Sequence, residues 1–437
     1  WGRYSFIGLD PLVTFTSVRD HVHMEHPGYV GGVVEMDGVD PLVELRSLLA
    51  SFAVSTAPGL PRFYGGAVGF LGYDMVRFME RLPDRHPPLN LPDSAFMVPG
   101  IVLIHDAVQQ TLTIVCNAWA QLGLSAEDLY EQSCERIEAI VRRLDGPLPV
   151  TCLAREPQEP HQFTSNMDGE SFTAMVERAK EYVRAGDVIQ VVLSQRFCAE
   201  TRLSPFTLYR ALRHINPSPY LFFLRQGDLV QIGSSPEILV RLEEGSIELR
   251  PIAGTRKRGT TIEEDLALER ELLADPKERA EHLMLVDLGR NDVGRVAAPG
   301  TVTVRDLLMI ERYSHVMHIV SGVHGRLKPG LDQFDVLAAC FPAGTVSGAP
   351  KVRAMEIIDE LEVERRGPYA GAVGYFGFSG NMDFCITIRT IILHGHHLWI
   401  QAGAGIVADS DPQTEYEETI NKAMGLRRAV ELAEKGL

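Results

Sequence analysis

Two pairs of glutamates have a spacing that could hold a metal ion. Glu278 and Glu281 stand three residues apart in a segment with helical periodicity, and Glu415 and Glu418 repeat this spacing near the end of the chain. On a helix, side chains three residues apart lie on the same face. Two such faces brought together would offer only oxygen ligands, which suit a hard cation such as magnesium and not zinc. The spacing alone leaves open the alternative of two solvated acidic faces, which are common on acidic proteins.

Three glycine-containing segments could bind an anionic substrate. They cover residues 251–256, 340–351 and 401–407. Glycine lets backbone N–H groups approach a ligand closely, and a helix that begins beside such a turn adds a field that favours an anion. Arg389 is a cation in an otherwise apolar strand and suits a bidentate carboxylate clamp. Because no segment has the spacing of a phosphate loop, the pattern favours a carboxylate. The alternative is a set of tight turns and a structural ion pair at Arg389.

Two histidines three residues apart, His315 and His318, could also bind a metal. No HExxH pattern accompanies them, and the valine and isoleucine residues around them predict a buried strand. A histidine in such a strand is more often a hydrogen-bonded core residue than a catalytic one.

Helices and strands must bring these segments together. Apolar periodicity predicts helices over residues 126–144, 171–185, 261–286 and from Thr414 to the C-terminus. Short apolar runs between turn residues predict strands, among them 187–193, 220–224 and 238–242. The predicted strands and helices occur in groups along the sequence. This order favours a mixed α/β layer structure over a strict βαβ alternation.

A polar, proline-containing stretch divides the chain of 437 residues into two regions. We predict an N-terminal region over residues 1–147, a linker over 148–166 and a catalytic region over 167–432. Because the sequence opens at Trp1 without a methionine, we also expect an upstream segment.

The composition disfavours several classes of protein. The formal net charge is −16, so we expect neither nucleic acid nor a membrane as a partner. No apolar run approaches the roughly 18–20 residues that cross a bilayer, and no secretory leader opens the sequence. The six cysteines form no CxxC pair, which predicts reduced thiols in a cytoplasm rather than a disulfide framework.

Several segments together resemble the chorismate-utilising enzymes. They read PIAGTRKRG, DPKERAEHLMLVDLGRND, ERYSHVMHIVSGV, FPAGTVSGAPKVRAMEIID, GPYAGAVGYFG, CITIRT, QAGAGIVADSDPQTEYEET and NKA. The resemblance is dense over residues 167–432 and looser through GRYSFIG and YGGAVGFLGYD in the front part. It implies an α/β (α+β) fold in which large, mostly antiparallel sheets are sandwiched between outer helices.

The resemblance also implies roles for the residues singled out above. Glu281 and Glu418 correspond to the family's magnesium ligands, and Glu278 and Glu415 to carboxylates that hold the metal's waters. The Mg²⁺ would bind the ring carboxylate of chorismate and help the C4 hydroxyl to leave.

The remaining correspondences concern catalysis and substrate binding. The resemblance makes Glu237 the acid that protonates the departing hydroxyl and His318 the active-site histidine, with Thr345 beside the substrate. It places at the substrate Gly254, Thr255, Tyr369, Arg389, Ala404, Gly405 and Lys422.

Two positions distinguish the branches of the family. Isochorismate and salicylate synthases carry a lysine base where this chain has Gln190, and glutamine cannot act as a general base. Aminodeoxychorismate synthases typically carry lysine where this chain has Ala253. The pattern resembles anthranilate synthase large subunits, so we predict amination of chorismate with ammonia and elimination of pyruvate. The alternatives are an aminodeoxyisochorismate or aminodeoxychorismate synthase. The intact catalytic set argues against a third possibility, a regulatory subunit without activity.

The resemblance implies two further partners. The chain has no GxCxG nucleophile turn, so a separate glutamine amidotransferase would supply the ammonia. Pro219, Tyr220 and Leu221 resemble half of the family's tryptophan feedback pocket, and the other half would lie upstream of the sequence in hand.

Overall fold

The computed structural model describes residues 2–26, 32–55, 59–120, 123–147, 161–313 and 316–436. Trp1, His315 and residues 148–160 of the predicted linker lie outside the described residues.

The described residues form twenty strands, ten α-helices and one 3₁₀-helix (Tyr73–Phe78). The strands are β1 (Tyr4–Val18), β2 (His21–Glu25), β3 (Val33–Met36), β4 (Gly66–Leu71), β5 (Ser94–Asp106), β6 (Thr111–Cys116), β7 (Thr164–Ser165), β8 (Gln190–Glu200), β9 (Tyr220–Gln226), β10 (Leu229–Ser235), β11 (Ile238–Glu243), β12 (Ser246–Leu249), β13 (Ile252–Lys257), β14 (Thr303–Arg312), β15 (Val316–Arg326), β16 (Gly348–Ala349), β17 (Ala372–Gly377), β18 (Met382–Ile386), β19 (Thr390–His394) and β20 (His397–Ile406). The helices are α1 (Pro41–Ala50), α2 (Ala126–Leu144), α3 (Gly169–Ala185), α4 (Pro205–Ile215), α5 (Ile262–Ala274), α6 (Pro276–Val296), α7 (Gln333–Cys340), α8 (Gly344–Ser347), α9 (Lys351–Leu361) and α10 (Pro412–Lys435).

The strands build two antiparallel sheets. The large sheet has 13 strands in the order β13-β15-β12-β11-β18-β17-β4-β5-β1-β2-β3, with β14 on β15 and β6 on β5. The small sheet has seven strands in the order β16-β8-β20-β19-β10-β9, with β7 on β8. Apolar side chains of both sheets meet in one cluster, which includes Phe70 and Val373 from the large sheet and Leu229 and Ile392 from the small sheet. The two sheets therefore face each other.

Helices cover the outer faces of this sandwich. Helices α6 and α7 contact the large sheet, and α3, α4 and α10 contact the small sheet. Their apolar faces are buried against the strands, as Val286 of α6 and Leu426 of α10 show. The predicted fold class, with mostly antiparallel sheets between outer helices, is confirmed.

The observed helices agree with the predicted ones except at one place. Helix α2 has the predicted bounds, and α3 ends before Gly186, whose φ of 82° is a left-handed conformation that suits glycine. The single helix predicted over residues 261–286 is wrong, because α5 ends before Asp275 and α6 begins at Pro276. Proline has no backbone N–H to continue the first helix, and it favours the extended conformation that Asp275 adopts.

The strands of the two predicted regions share one sheet. Strand β4 of the N-terminal region pairs with β17 of the catalytic region, from Gly66–Gly377 to Leu71–Ala372. Strand β7 lies within the described end of the predicted linker and pairs with β8. In the described part of the chain, no helix is long and apolar enough to cross a membrane.

Candidate active site

The first glutamate pair lies in the opening turns of α6. Pro276 occupies the first turn, and the carboxylate of Asp275 caps the helix by accepting hydrogen bonds from the backbone N–H groups of Lys277 and Glu278. This cap fixes the start of α6, and therefore the direction in which Glu278 and Glu281 point.

The second pair lies at the start of α10, which Asp411 caps by accepting a hydrogen bond from the N–H of Thr414. Glu415 is 9% exposed. Burial raises the pKa of Glu415, and the negative charge of Glu418 raises it further. Two carboxylates that repel each other beside a buried surface favour a nearby cation.

All four glutamates have a polar side chain beside them. The Ser410 hydroxyl lies beside Glu415, and the other three contact longer side chains. Arg256 donates from Nη1 to Glu278 Oε1 at 2.9 Å, Gln190 donates from Nε2 to Glu281 Oε1 at 3.0 Å, and Lys422 Nζ lies 2.6 Å from Glu418 Oε1. Among the described residues, no three acidic, histidine or cysteine side chains lie together as a ready metal cluster. A metal bound by Glu281 and Glu418 would therefore have to replace the contacts of Gln190 and Lys422. The donor chemistry fits a hard cation, because every candidate ligand is a carboxylate oxygen.

Both glutamate pairs lie beside the end of β20. The side chain of Gln190 covers Gly405 so closely that a Cβ at Gly405 would lie 2.4 Å from Gln190 Nε2. Lys422, which contacts Glu418, donates from Nζ to the carbonyl oxygen of Gly403 at 2.9 Å. Residues of β20 thus link Gln190, on the α6 side, to Lys422 on α10. Ala404 lies between these glycines and is fully buried.

Pairing of β13 with β15 brings the PIAGT segment to the predicted histidine. Thr255 lies opposite His318, and Gly254 makes a bulge between Ala253 and Thr255 with a φ of 75°. The Nδ1 atom of His318 lies 3.0 Å from Thr255 Oγ1 and 3.2 Å from the carbonyl oxygen of Gly254. A carbonyl can only accept, so we assign the proton of the neutral ring to Nδ1. Burial lowers the pKa of His318, which keeps the ring neutral with a free electron pair on Nε2.

Glu237 and Thr345 line one cavity. Glu237 connects β10 to β11 and is 8% exposed, and burial raises the pKa of its carboxyl to about 8. Glu237 is therefore a protonated acid at neutral pH. The hydroxyl oxygen of Thr345 is buried close to this carboxyl, yet it makes no well-aligned hydrogen bond with any described residue. The cavity has a volume of about 380 Å³, and Gly344 and residues of α6 also line it.

Arg389 is a half-buried cation with no counter-charge among the described residues. Its guanidinium forms no hydrogen bond or ion pair within the described ranges, and burial lowers its pKa. Its backbone has a φ of 51°, an uncommon conformation for a residue with a side chain. Tyr369 lies nearby, since the two side chains affect each other's pKa, and burial raises the pKa of Tyr369 to about 12. A half-buried guanidinium that no described acid neutralises, beside a neutral phenol, is well suited to bind a carboxylate.

The residues predicted for a tryptophan pocket, Pro219, Tyr220 and Leu221, lie apart from the predicted catalytic side chains. Tyr220 begins β9 and packs in the apolar cluster between the two sheets. Its hydroxyl donates to Asp383 Oδ1 at 2.8 Å and accepts from Arg241 Nη2 at 3.1 Å. Pro219 and Leu221 flank it in the chain, and Tyr220 has none of the predicted catalytic side chains as a hydrogen-bond partner in the described part of the chain.

The sequence did not predict the charged side chains that pack behind the site residues and connect the segments that carry them. Arg256 also contacts Glu271 and Asp275, so it ties β13 to α5 and α6. Arg366 and Glu362 form a fully buried pair behind Thr345 and Tyr369. The only signal in the sequence is the position of these charged residues beside the recognised motifs.

Comparison with known proteins defines the class. The model of the chorismate binding enzymes matches residues 31–428, and the chain belongs to this family. Anthranilate synthase component 1 of Cereibacter sphaeroides is 51% identical over 433 residues, which cover 98% of this chain and 86% of that protein. The solved structure of anthranilate synthase component I from Streptococcus pneumoniae has a TM-score of 0.84 and 40% identity, with coverage of 98% of this chain and 92% of that one.

A more distant structure shares the fold. The menaquinone-specific isochorismate synthase of Escherichia coli has a TM-score of 0.69 at 20% identity, over 98% of this chain and 94% of that one. The predicted resemblance to the chorismate-utilising enzymes, and within them to the large component of anthranilate synthase, is confirmed.

Proposed function

We propose that the chain is the large subunit of an anthranilate synthase, which aminates chorismate with ammonia and eliminates pyruvate. The position of Gln190 is the observation that supports this proposal most strongly. Its Nε2 donates to Glu281 at the edge of the site, and an amide cannot remove a proton from water. The nucleophile must therefore be reactive without a base at this position, as ammonia is. The two anthranilate synthase components named above support the same reaction.

The charged groups of the site suit the substrate. Arg389, with no counter-charge among the described residues, would bind one carboxylate of chorismate, and Tyr369 would donate a hydrogen bond beside it. Glu281 and Glu418 would hold a Mg²⁺ ion, with Glu278 and Glu415 binding its waters. When bound, Mg²⁺ supplies a positive charge for the other carboxylate.

The protonation states suit the first step. Ammonia forms a bond to C2 while both ring double bonds shift by one position and the C4–O bond breaks. The added nitrogen then loses its extra proton to solvent and becomes the amine. Glu237 carries the proton that the leaving hydroxyl needs, so the hydroxyl departs as water and Glu237 becomes a carboxylate. The buried hydroxyl of Thr345 lies beside this carboxyl.

The second step forms the aromatic ring. Nε2 of the neutral His318 takes the proton from C2, and the electrons of the C–H bond form the ring double bond. As this double bond forms between C2 and C3, the C3–O bond breaks. The departing enolpyruvate takes up a proton at its methylene carbon and becomes pyruvate. His318 lies on β15 beside Gly254 and Thr255, which would bind the substrate.

Product analysis tests this proposal. The chain is incubated with chorismate, magnesium and ammonium salt, and the products are separated by chromatography with mass detection. We expect anthranilate and pyruvate in equal amounts. An aminated product that retains its enolpyruvyl ether would contradict the second step and identify an aminodeoxyisochorismate or aminodeoxychorismate synthase.

We further propose a separate glutamine amidotransferase as the source of ammonia and a cytoplasmic location. The chain lacks the sequence pattern of a glutaminase, and the cysteines Cys116, Cys134, Cys198, Cys340 and Cys385 are unpaired thiols. Tyr220, with Pro219 and Leu221, would form part of a pocket for tryptophan as feedback inhibitor. Activity with glutamine that requires such a partner would support the amidotransferase assignment. Inhibition of that activity by tryptophan would support the feedback pocket.

A further inference from the structure

A buried ion pair lies behind the candidate active site and has no part in the proposed chemistry. Arg366 and Glu362 are 2% and 5% exposed. The guanidinium donates through Nε to Glu362 Oε2 at 2.9 Å and through Nη2 to Glu362 Oε1 at 2.6 Å. Such a bidentate contact fixes the plane of the guanidinium as well as its position.

The same guanidinium holds two segments that carry catalytic residues. Arg366 Nη1 donates to the carbonyl oxygen of Val346 at 2.6 Å, and Val346 follows Thr345 in α8. Arg366 Nη2 donates to the carbonyl oxygen of Val192 at 2.7 Å, two residues after Gln190 in β8. One side chain therefore sets the distance between the Thr345 turn and the Gln190 strand.

Arg366 also supports the ring of Tyr369. The central guanidinium carbon lies 5.6 Å from the centre of this ring and 4.8 Å from the centre of the Tyr73 ring. Cation–π attraction between these groups fixes the orientation of Tyr369. The phenol oxygen then lies against Gly403, where a Cβ would be only 2.7 Å away.

Glu362 is fully occupied by donors and cannot act as an acid or base. Besides Arg366, its Oε1 accepts from the backbone N–H and from the hydroxyl of Ser194, both at 2.8 Å. Because Glu362 neutralises Arg366, this arginine does not compete with Arg389 for an anionic substrate.

We propose that the Arg366–Glu362 pair is a positioning element, which holds Thr345, Gln190 and Tyr369 in the arrangement that the reaction needs. The inference rests on the proposed function. It assigns a role in turnover to two residues that touch neither the substrate nor the metal ligands.

A paired substitution separates positioning from folding. Removing one partner would leave a buried charge without its counter-ion, whereas replacing both with apolar residues of similar volume is often tolerated. In Arg366→Met/Glu362→Leu we expect a melting temperature near that of the wild type and a kcat with ammonia that is roughly 100-fold lower, since a small misplacement of reacting groups has an effect of this order. The KM for chorismate should change much less, because Arg389 is intact.

Two further variants make the comparison specific. Arg77→Met/Asp359→Leu removes another ion pair, 2.7 Å apart, in which Asp359 is buried and Arg77 is half-buried. This pair contacts none of the three positioned residues, so the variant should keep a kcat close to the wild type. Arg366→Lys retains the charge but cannot reach Glu362, Val346 and Val192 together, so it should not restore kcat.

A folded Arg366→Met/Glu362→Leu protein with wild-type kcat would overturn the proposal, as would an equal loss in the Arg77→Met/Asp359→Leu control. A crystal structure of the first double variant tests the inference without activity. We expect the Tyr369 ring and the Thr345 turn to be displaced, and unchanged positions would refute it. Failure of the wild type to form anthranilate would instead refute the proposed function alone.

Discussion

Replacement of Glu237 by glutamine tests the proposed acid most specifically. The variant keeps the shape of the side chain but has no proton to give to the leaving hydroxyl. Loss of a general acid typically lowers the rate by about 10²–10⁴-fold, so we expect a fall of this size in kcat with ammonia. Glu243→Gln, half-buried at the far end of the adjoining strand β11, is the control and should retain wild-type turnover.

The buried position of Glu237 also predicts two dependences on pH. Its pKa rises from 4.5 to about 8 in the folded protein. Because the acid must be protonated, wild-type kcat/KM should fall above about pH 8, once rates are expressed per unprotonated ammonia. Between the two pKa values the unfolded chain binds fewer protons than the folded one, so the free energy of unfolding should decrease as pH rises. The shift corresponds to ~5 kcal/mol over this range.

Two assays measure these effects in parallel. Thermal unfolding from about pH 5 to 8 should show a loss of stability in the wild type that is smaller in Glu237→Gln. Initial rates over the same range and above it should show an alkaline limb that the variant lacks. If Glu237→Gln kept the wild-type rate, or kept the alkaline limb, the assignment of Glu237 as the acid would be wrong.

Three further predictions concern the other parts of the site. Glu418→Gln removes one carboxylate of the proposed metal site, so its affinity for Mg²⁺ in calorimetry should fall at least about tenfold, and an unchanged affinity would contradict the assignment. Gly405→Ala places a Cβ 2.4 Å from Gln190 Nε2, the far end of a flexible side chain, so Gln190 should shift and turnover should drop, with only a small loss of stability in denaturant titration. Wild-type turnover in Gly405→Ala would show that the position of Gln190 is unimportant for catalysis. Arg389→Lys keeps the charge but not the bidentate fork, and should raise the KM for chorismate by about tenfold or more. An unchanged KM would exclude Arg389 as the carboxylate clamp.

Local spacing was sufficient to predict which residues share a helix face. The three-residue spacing of Glu278 and Glu281 placed both on the first turns of one helix, and α3 ended at Ala185 as its sequence predicted. The break between α5 and α6 was missed because apolar periodicity continues across it. The proline at position 276 was the signal that should have outweighed this periodicity.

Contacts between distant segments could not be read from periodicity. Pairing of β4 with β17 joins residues that are about 300 positions apart, and neither strand carries a local signal for its partner. For the same reason the sequence did not show that Arg256 turns to Glu278, or that Lys422 turns to Glu418. The family resemblance supplied roles for these residues, whereas the structure supplied the partners that orient them.

The most direct test of the central claim follows the nitrogen atom. The chain, without any partner, is given chorismate, magnesium and ammonium labelled with nitrogen-15, and the products are measured by mass spectrometry. We predict one labelled anthranilate and one pyruvate for each chorismate consumed. A product that carries oxygen from water in place of the labelled nitrogen, such as isochorismate, would contradict the account.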